Sequence, residues 1–125
     1  MQTKEIQPNE WPEFFDDFSR KHQGMVVDIE MLAVEIGAQT EEKGLALEGI
    51  TVDRDETSGQ RITIMVGASA DDHITHSVSR PTQVSLEQTD EAADLALAIK
   101  GADGSTLLLR FQSTALPEVA DAVSP

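Results

Sequence analysis

The feature that most constrains this chain is a run of short strand-like segments between residues 60 and 111. Each segment alternates apolar with polar residues or is rich in residues that favour strands, and turn-forming residues separate it from the next. The five segments are Arg61–Gly67, His73–Ser79, Thr82–Gln88, Leu95–Lys100 and Thr106–Phe111. Strands that recur at intervals of about 8–12 residues are typical of a small antiparallel sheet or barrel.

An amphipathic helix is predicted ahead of these strands, over residues 9–23. Asn9 can cap this helix, and Glu10 and Glu13 favour the positive end of its dipole. Four aromatic residues fall on one helical face: Trp11, Phe14, Phe15 and Phe18. We expect this face to dock the helix onto a sheet rather than to bind a ligand.

The segment between the helix and the run of strands is also predicted to be mostly β-structure. Asp28 and Glu30 alternate with apolar neighbours, so we expect them on the solvent face of a strand over residues 25–34 rather than as a general acid–base pair. Residues 35–44 fit either an edge strand or a helical turn. Gly49 interrupts the alternation of the next strand, which predicts a bulge or a bend there.

These elements together predict an α+β fold. The N-terminal amphipathic helix packs on a curved, mainly antiparallel sheet of six to seven strands, or on a half-open barrel. Residues 1–125 are expected to form a single domain, because a chain of this length can bury one core. Within it, residues 25–112 form a β-meander and residues 113–125 form a C-terminal tail or a short helix.

The charge of the chain is strongly negative, with 23 Asp and Glu against 9 Lys and Arg and a net charge of −14. Such a field repels phosphate backbones and anionic lipids, so we expect no nucleic-acid and no membrane partner. Cysteine is absent, which excludes disulfides, thiol nucleophiles and cysteine-ligated metals. The N-terminus has no apolar block typical of a signal peptide, and a cytoplasmic location is expected.

One segment combines two carboxylates and two imidazoles within six residues: Asp71, Asp72, His73 and His76. In a strand, His73 and His76 point to opposite faces, and only a turn or helical cap over residues 71–74 would let them converge with an aspartate. Zinc sites usually need three or four ligands. We therefore expect a solvated turn leading into a strand, with no catalytic residue and no cofactor, and keep these four residues as the candidates for a metal site.

Four stretches of the chain are distinctive: Glu10-Trp-Pro-Glu-Phe-Phe-Asp-Asp-Phe-Ser, Leu47-Glu-Gly-Ile-Thr, Asp72-His-Ile-Thr-His-Ser-Val, and Asp103-Gly followed by Leu107 to Phe111. Together they resemble a family of small uncharacterised bacterial proteins, a domain of unknown function. The resemblance covers nearly the whole chain. It implies a stand-alone bacterial domain, and no activity, cofactor or catalytic residue comes with it.

The function expected from these patterns is a non-enzymatic binding or protein-interaction module that forms a homo-oligomer, with an unknown protein partner or a small ligand. Val26, Leu32 and Leu108 give the strands a partly apolar second face, which needs covering. One alternative is a small-molecule carrier. Its barrel interior would be lined by Ile62, Ile64, Val66, Leu97 and Leu109. The other alternative is a metal-dependent protein that uses the segment Asp71–His76.

Overall fold

The computed structural model describes residues 2–33, 37–55, 59–69, 72–91 and 93–112. These residues form an eight-stranded sheet and one α-helix, with a short 3-10 turn at Pro8–Glu10 before the helix. The elements in chain order are β1 (Gln2–Ile6), α1 (Trp11–His22), β2 (Val26–Ala33), β3 (Gly37–Asp55), β4 (Gly59–Ser69), β5 (Asp72–Ser79), β6 (Pro81–Gln88), β7 (Asp94–Gly101) and β8 (Thr106–Phe111). The tail predicted over residues 113–125 lies outside the described residues.

The strand order in the sheet is β1-β6-β7-β8-β2-β3-β4-β5, and every neighbouring pair is antiparallel. The antiparallel sheet with one N-terminal helix was predicted correctly, but the sheet has eight strands rather than six or seven. It is not closed into a barrel, because β1 and β5 are its two edges and do not pair with each other in the described part of the chain. A simple meander would pair each strand with the next, whereas here β8 returns to β2 and β6 lies beside β1.

Strand β3 is long because it serves two neighbours in turn. It pairs with β2 from Gly37 to Ala46 and with β4 from Ala46 to Asp55. The register with β4 shifts between Leu47 and Gly49, at the irregularity that the sequence predicted. The ambiguous residues 37–44 are therefore the first half of this strand.

Helix α1 covers the apolar face of the sheet. Trp11, Phe15 and Phe18 are buried in the core, and Phe14 packs against it half-buried, so the predicted docking face is confirmed. The Trp11 indole N–H donates a hydrogen bond to the carbonyl oxygen of Ile6 at 2.9 Å, which ties the helix to β1. The helix begins later than predicted, because Asn9 lies inside the 3-10 turn and Glu10 occupies the cap position.

A single residue, Arg80, joins β5 at one edge of the sheet to β6, which lies next to the opposite edge strand. The Arg80 backbone N–H donates to the carbonyl oxygen of Gln60 at 2.9 Å, and the Arg80 carbonyl oxygen accepts from the N–H of Ala102 at 3.0 Å. Gln60 lies near the start of β4, and Ala102 follows β7. The corner at Arg80 therefore holds together the ends of strands from both halves of the sheet.

Candidate functional site

The predicted metal-site segment lies mostly in a strand. His73 and His76 both belong to β5, where side chains alternate between faces, and His73 is exposed whereas His76 is half-buried. Asp71 lies outside the described residues, and the side chain of Asp72 is not described. Among the side chains that are described, no three metal-binding groups converge. The structure therefore does not bring His73 and His76 together as ligands of one ion.

Each of these two histidines instead faces a glutamate on β3, the strand beyond β4. His73 Nδ1 lies 2.7 Å from Glu48 Oε2, and His76 Nε2 lies 3.0 Å from Glu42 Oε2. The His76 pair is the more enclosed, with 18% and 21% of the two side chains exposed. These contacts connect the edge strand β5 to β3 across the intervening strand β4, and they stabilise the sheet.

The remaining histidine, His22, ends helix α1 and fastens it to the sheet. Its Nε2 lies 3.0 Å from Asp94 Oδ2, and its Nδ1 lies 2.9 Å from the carbonyl oxygen of Phe18. Both ring nitrogens of His22 are therefore engaged by oxygen atoms of the protein. The ring stacks on Phe111 at a centroid distance of 4.7 Å. No local sequence pattern indicates this contact, because Asp94 is far from His22 along the chain.

The five residues proposed to line a carrier interior all lie in the hydrophobic core. Ile62, Ile64, Val66, Leu97 and Leu109 each have 0% of their surface exposed, in the same cluster as the aromatic residues of α1. A ligand could enter between them only if this packing separated.

The outer face of the sheet carries two apolar cross-strand pairs, one on β7 and β8 and one on β2 and β3. Cross-strand neighbours bring Leu108 beside Ala98 and Leu32 beside Ala38, and we call these four residues the outer patch. Leu32 is 37% exposed, and Val26 at the other end of β2 is 43% exposed. The predicted mixed second face of these strands is therefore present in the fold.

Two surface depressions accompany these features. One, of about 440 Å³, lies between β1 and α1 and is mostly acidic. Its charged lining consists of Lys4, Glu10, Glu13, Asp16, Asp17 and Arg20. The carboxylates Asp16 and Asp17 already pair with Arg20 at 2.8 and 3.4 Å.

The second depression, of about 540 Å³, lies where β5, Arg80 and the β7–β8 turn meet, and we call it the corner cavity. Its lining includes Met31, Ser77, Ser79, Arg80, Asp103 and Ser105. Asp103 Oδ1 accepts from the backbone N–H and the hydroxyl of Ser105, at 2.9 and 2.7 Å. These bonds hold the pKa of the Asp103 carboxyl below its usual value. Sequence reasoning missed this site, because nothing local shows that Arg80 is a corner between distant strands.

Comparison with known proteins assigns a family but no activity. A model of a family of unknown function, DUF5335, matches residues 2–119. No curated protein matches, and no solved structure matches. Within the described ranges, no helix has the length and apolar character needed to cross a membrane.

Proposed function

We propose that this chain, which belongs to the family of unknown function DUF5335, is a non-enzymatic protein-interaction module that associates with a second copy of itself. The outer patch is the observation that carries the proposal. It places the pair Leu108–Ala98 diagonally next to the pair Leu32–Ala38 on the face of the sheet opposite the helix. Between β8 and β2, Leu108 lies opposite Glu30 and Leu32 lies opposite Thr106. Apolar side chains grouped on one sheet face gain free energy when a partner removes them from water.

The charges around the outer patch favour a second copy as the occupant. The whole chain carries a net charge of −14, so two copies repel each other over most of their surface. On this face, however, the cations Lys43 and Lys100 and the ion pair between Arg110 and Glu30 accompany the anion Asp28. A face that carries both signs can pair with itself around a two-fold axis, so that the cations of one copy meet the anions of the other.

The outer patch alone is too small to form a stable dimer interface. A stable interface buries about 800 Å² on each partner, which is more than the four residues of the outer patch supply. The surrounding polar side chains of β7, β8 and β2 would therefore form the rim of the interface.

The histidine contacts support the non-enzymatic part of the proposal. His22, His73 and His76 are the histidines of the chain, and each is held by a carboxylate that links separate elements of the fold. The side chains best suited to acid–base chemistry near neutral pH are thus engaged in holding the sheet and helix together. The proposal also includes a setting in the bacterial cytoplasm, which the resemblance to small bacterial proteins supports.

The oligomeric state tests this function. We expect the wild-type protein to be a dimer by light scattering coupled to size exclusion and by native mass spectrometry. Leu32→Glu places a charge in the outer patch and should give a folded monomer. Thr75→Glu adds the same charge at an exposed position of β5 and should leave the dimer intact. A wild-type protein that is monomeric at tens of micromolar, or a Leu32→Glu variant that stays dimeric, would show that the proposal is wrong.

A further inference from the structure

We propose that the corner cavity is a binding site for a small anionic molecule, whose carboxylate or phosphate group is held by the guanidinium of Arg80. This site is separate from the outer patch and does not depend on self-association. It combines a cavity of about 540 Å³, a backbone fixed in an unfavourable conformation, and an arginine side chain without a partner in the described structure.

The backbone of Arg80 is held in a left-handed conformation. Its φ of 50° makes it the one non-glycine residue with positive φ in the described part of the chain. Such a conformation disfavours any residue that has a Cβ atom, and the following Pro81 restricts Arg80 further. The hydrogen bonds of the Arg80 N–H to Gln60 and of its carbonyl to Ala102 hold it there. Glycine would suit this corner better, and strain of this kind concentrates at functional sites.

The side chain of Arg80 lines the corner cavity and has no partner in the described structure. Its guanidinium is exposed and makes no hydrogen bond or ion pair with any described residue. Arg20 and Arg110 each pair with a carboxylate. Arg54 and Arg61 are exposed and have no side-chain partner in the described structure, but they do not line this cavity. In a chain of net charge −14, an arginine that stays unpaired beside a cavity retains its donors for a ligand. Guanidinium donors match the geometry of carboxylate and phosphate oxygens.

The rest of the lining indicates what kind of anion fits. Ser79 has no side-chain hydrogen-bond partner in the described structure, so its hydroxyl can donate to a ligand oxygen. Met31 supplies an apolar wall for a short carbon chain. Asp103 keeps its negative charge, because Ser105 donates to it twice. One cation and one anion in the same lining favour a ligand with a single anionic group over one with several.

The test is a nuclear magnetic resonance titration of the full chain at constant ionic strength. Sodium acetate and inorganic phosphate are the two probes, and the amide signals of residues 77–80 and 102–105 are the readout. We expect saturable shifts with at least one probe, and the tighter probe identifies the anionic group of the ligand. Arg80→Gln should weaken binding by about tenfold or more, because it removes a charge-assisted hydrogen bond. Arg80→Gly suits the corner backbone and should weaken binding as much.

Two further variants separate a specific site from a general effect of charge. Asp103→Asn keeps the acceptor for Ser105 and removes one negative charge, so it should tighten binding of the same probe. Arg20→Gln makes the net charge of the chain more negative by one, as Arg80→Gln does. Arg20 lies on α1 and does not line this cavity, so this variant should leave the affinity unchanged. The proposal is wrong if neither probe gives saturable shifts, or if the variants at Arg80 and Arg20 weaken binding equally.

Discussion

Replacing Arg80 with glycine is expected to give a more stable protein than replacing it with alanine. Both substitutions remove the guanidinium, and both keep the backbone hydrogen bonds to Gln60 and Ala102. They differ only in the Cβ atom, which is the source of strain at a φ of 50°. The comparison therefore isolates the backbone of the corner from the side chain of the proposed binding site.

The expected difference follows from two opposing terms. A left-handed conformation costs a residue with a Cβ atom about 1–2 kcal/mol, which glycine avoids. Glycine in turn loses roughly 0.5–1 kcal/mol more conformational entropy on folding than alanine does. Arg80→Gly should thus exceed Arg80→Ala in unfolding free energy by about 0.5–1 kcal/mol, or roughly 3 °C in melting temperature.

The assay is urea unfolding followed by circular dichroism, with calorimetry as a second measurement. The matched control is the same pair of substitutions at Gln83, an exposed residue within β6 whose φ is not positive. There the order should reverse, with alanine the more stable, because only the entropy term remains. An Arg80→Ala variant as stable as Arg80→Gly, or more stable, would refute the argument that this corner is strained.

Three further predictions concern the contacts of the helix and of the corner cavity. Trp11→Phe removes the indole N–H that donates to the carbonyl oxygen of Ile6, and it also removes buried ring volume. Calorimetry should therefore show a free energy of unfolding lower by about 2–4 kcal/mol. The Ser19 hydroxyl accepts a hydrogen bond from the N–H of Ile50 and donates one to its carbonyl oxygen. Ser19→Ala should therefore lower the free energy of unfolding in urea by about 1–3 kcal/mol, and Ser19→Thr should retain most of that stability. The lowered pKa of Asp103 implies that its bonds to Ser105 stabilise the fold at neutral pH, and that this stabilisation is lost as the pH falls through the lowered pKa. The free energy of unfolding of a Ser105→Ala variant should therefore differ most from that of wild type at neutral pH, and the two should converge in acid. A difference that does not change with pH would contradict this assignment.

The strands that the sequence predicted best are those with a regular alternation and a buried face. β4 to β8 follow this pattern, because side chains along a strand alternate between core and solvent. β1 escaped prediction since Ile6 is its only buried residue, and an edge strand with four exposed residues has no periodic signal. The first half of β3 is similarly polar. The strand order could not be predicted at all, because alternation gives the faces of a strand and not its neighbours.

The candidate sites depend on contacts that no local pattern contains. The opposite orientation of His73 and His76 followed from strand periodicity alone. Their partners Glu48 and Glu42, however, lie on a strand two places away in the sheet. The positive φ of Arg80 could not be predicted from the sequence either. Serine, arginine and proline in succession indicate a turn but do not give the sign of φ.

The pairing of β1 with β6 also sets an order of events during synthesis. Gln2 lies opposite Gln88, and Ile6 lies opposite Val84, so β1 gains the one neighbour it has in the described sheet only after β6 has been made. Contacts between residues so far apart in the chain slow folding, because a long loop has to close before they form. Until then Ile6 has no strand to cover it, and the Trp11 indole lacks the carbonyl to which it bonds once β1 has docked. β1 and the start of the helix therefore reach their final positions only once β6 is in place.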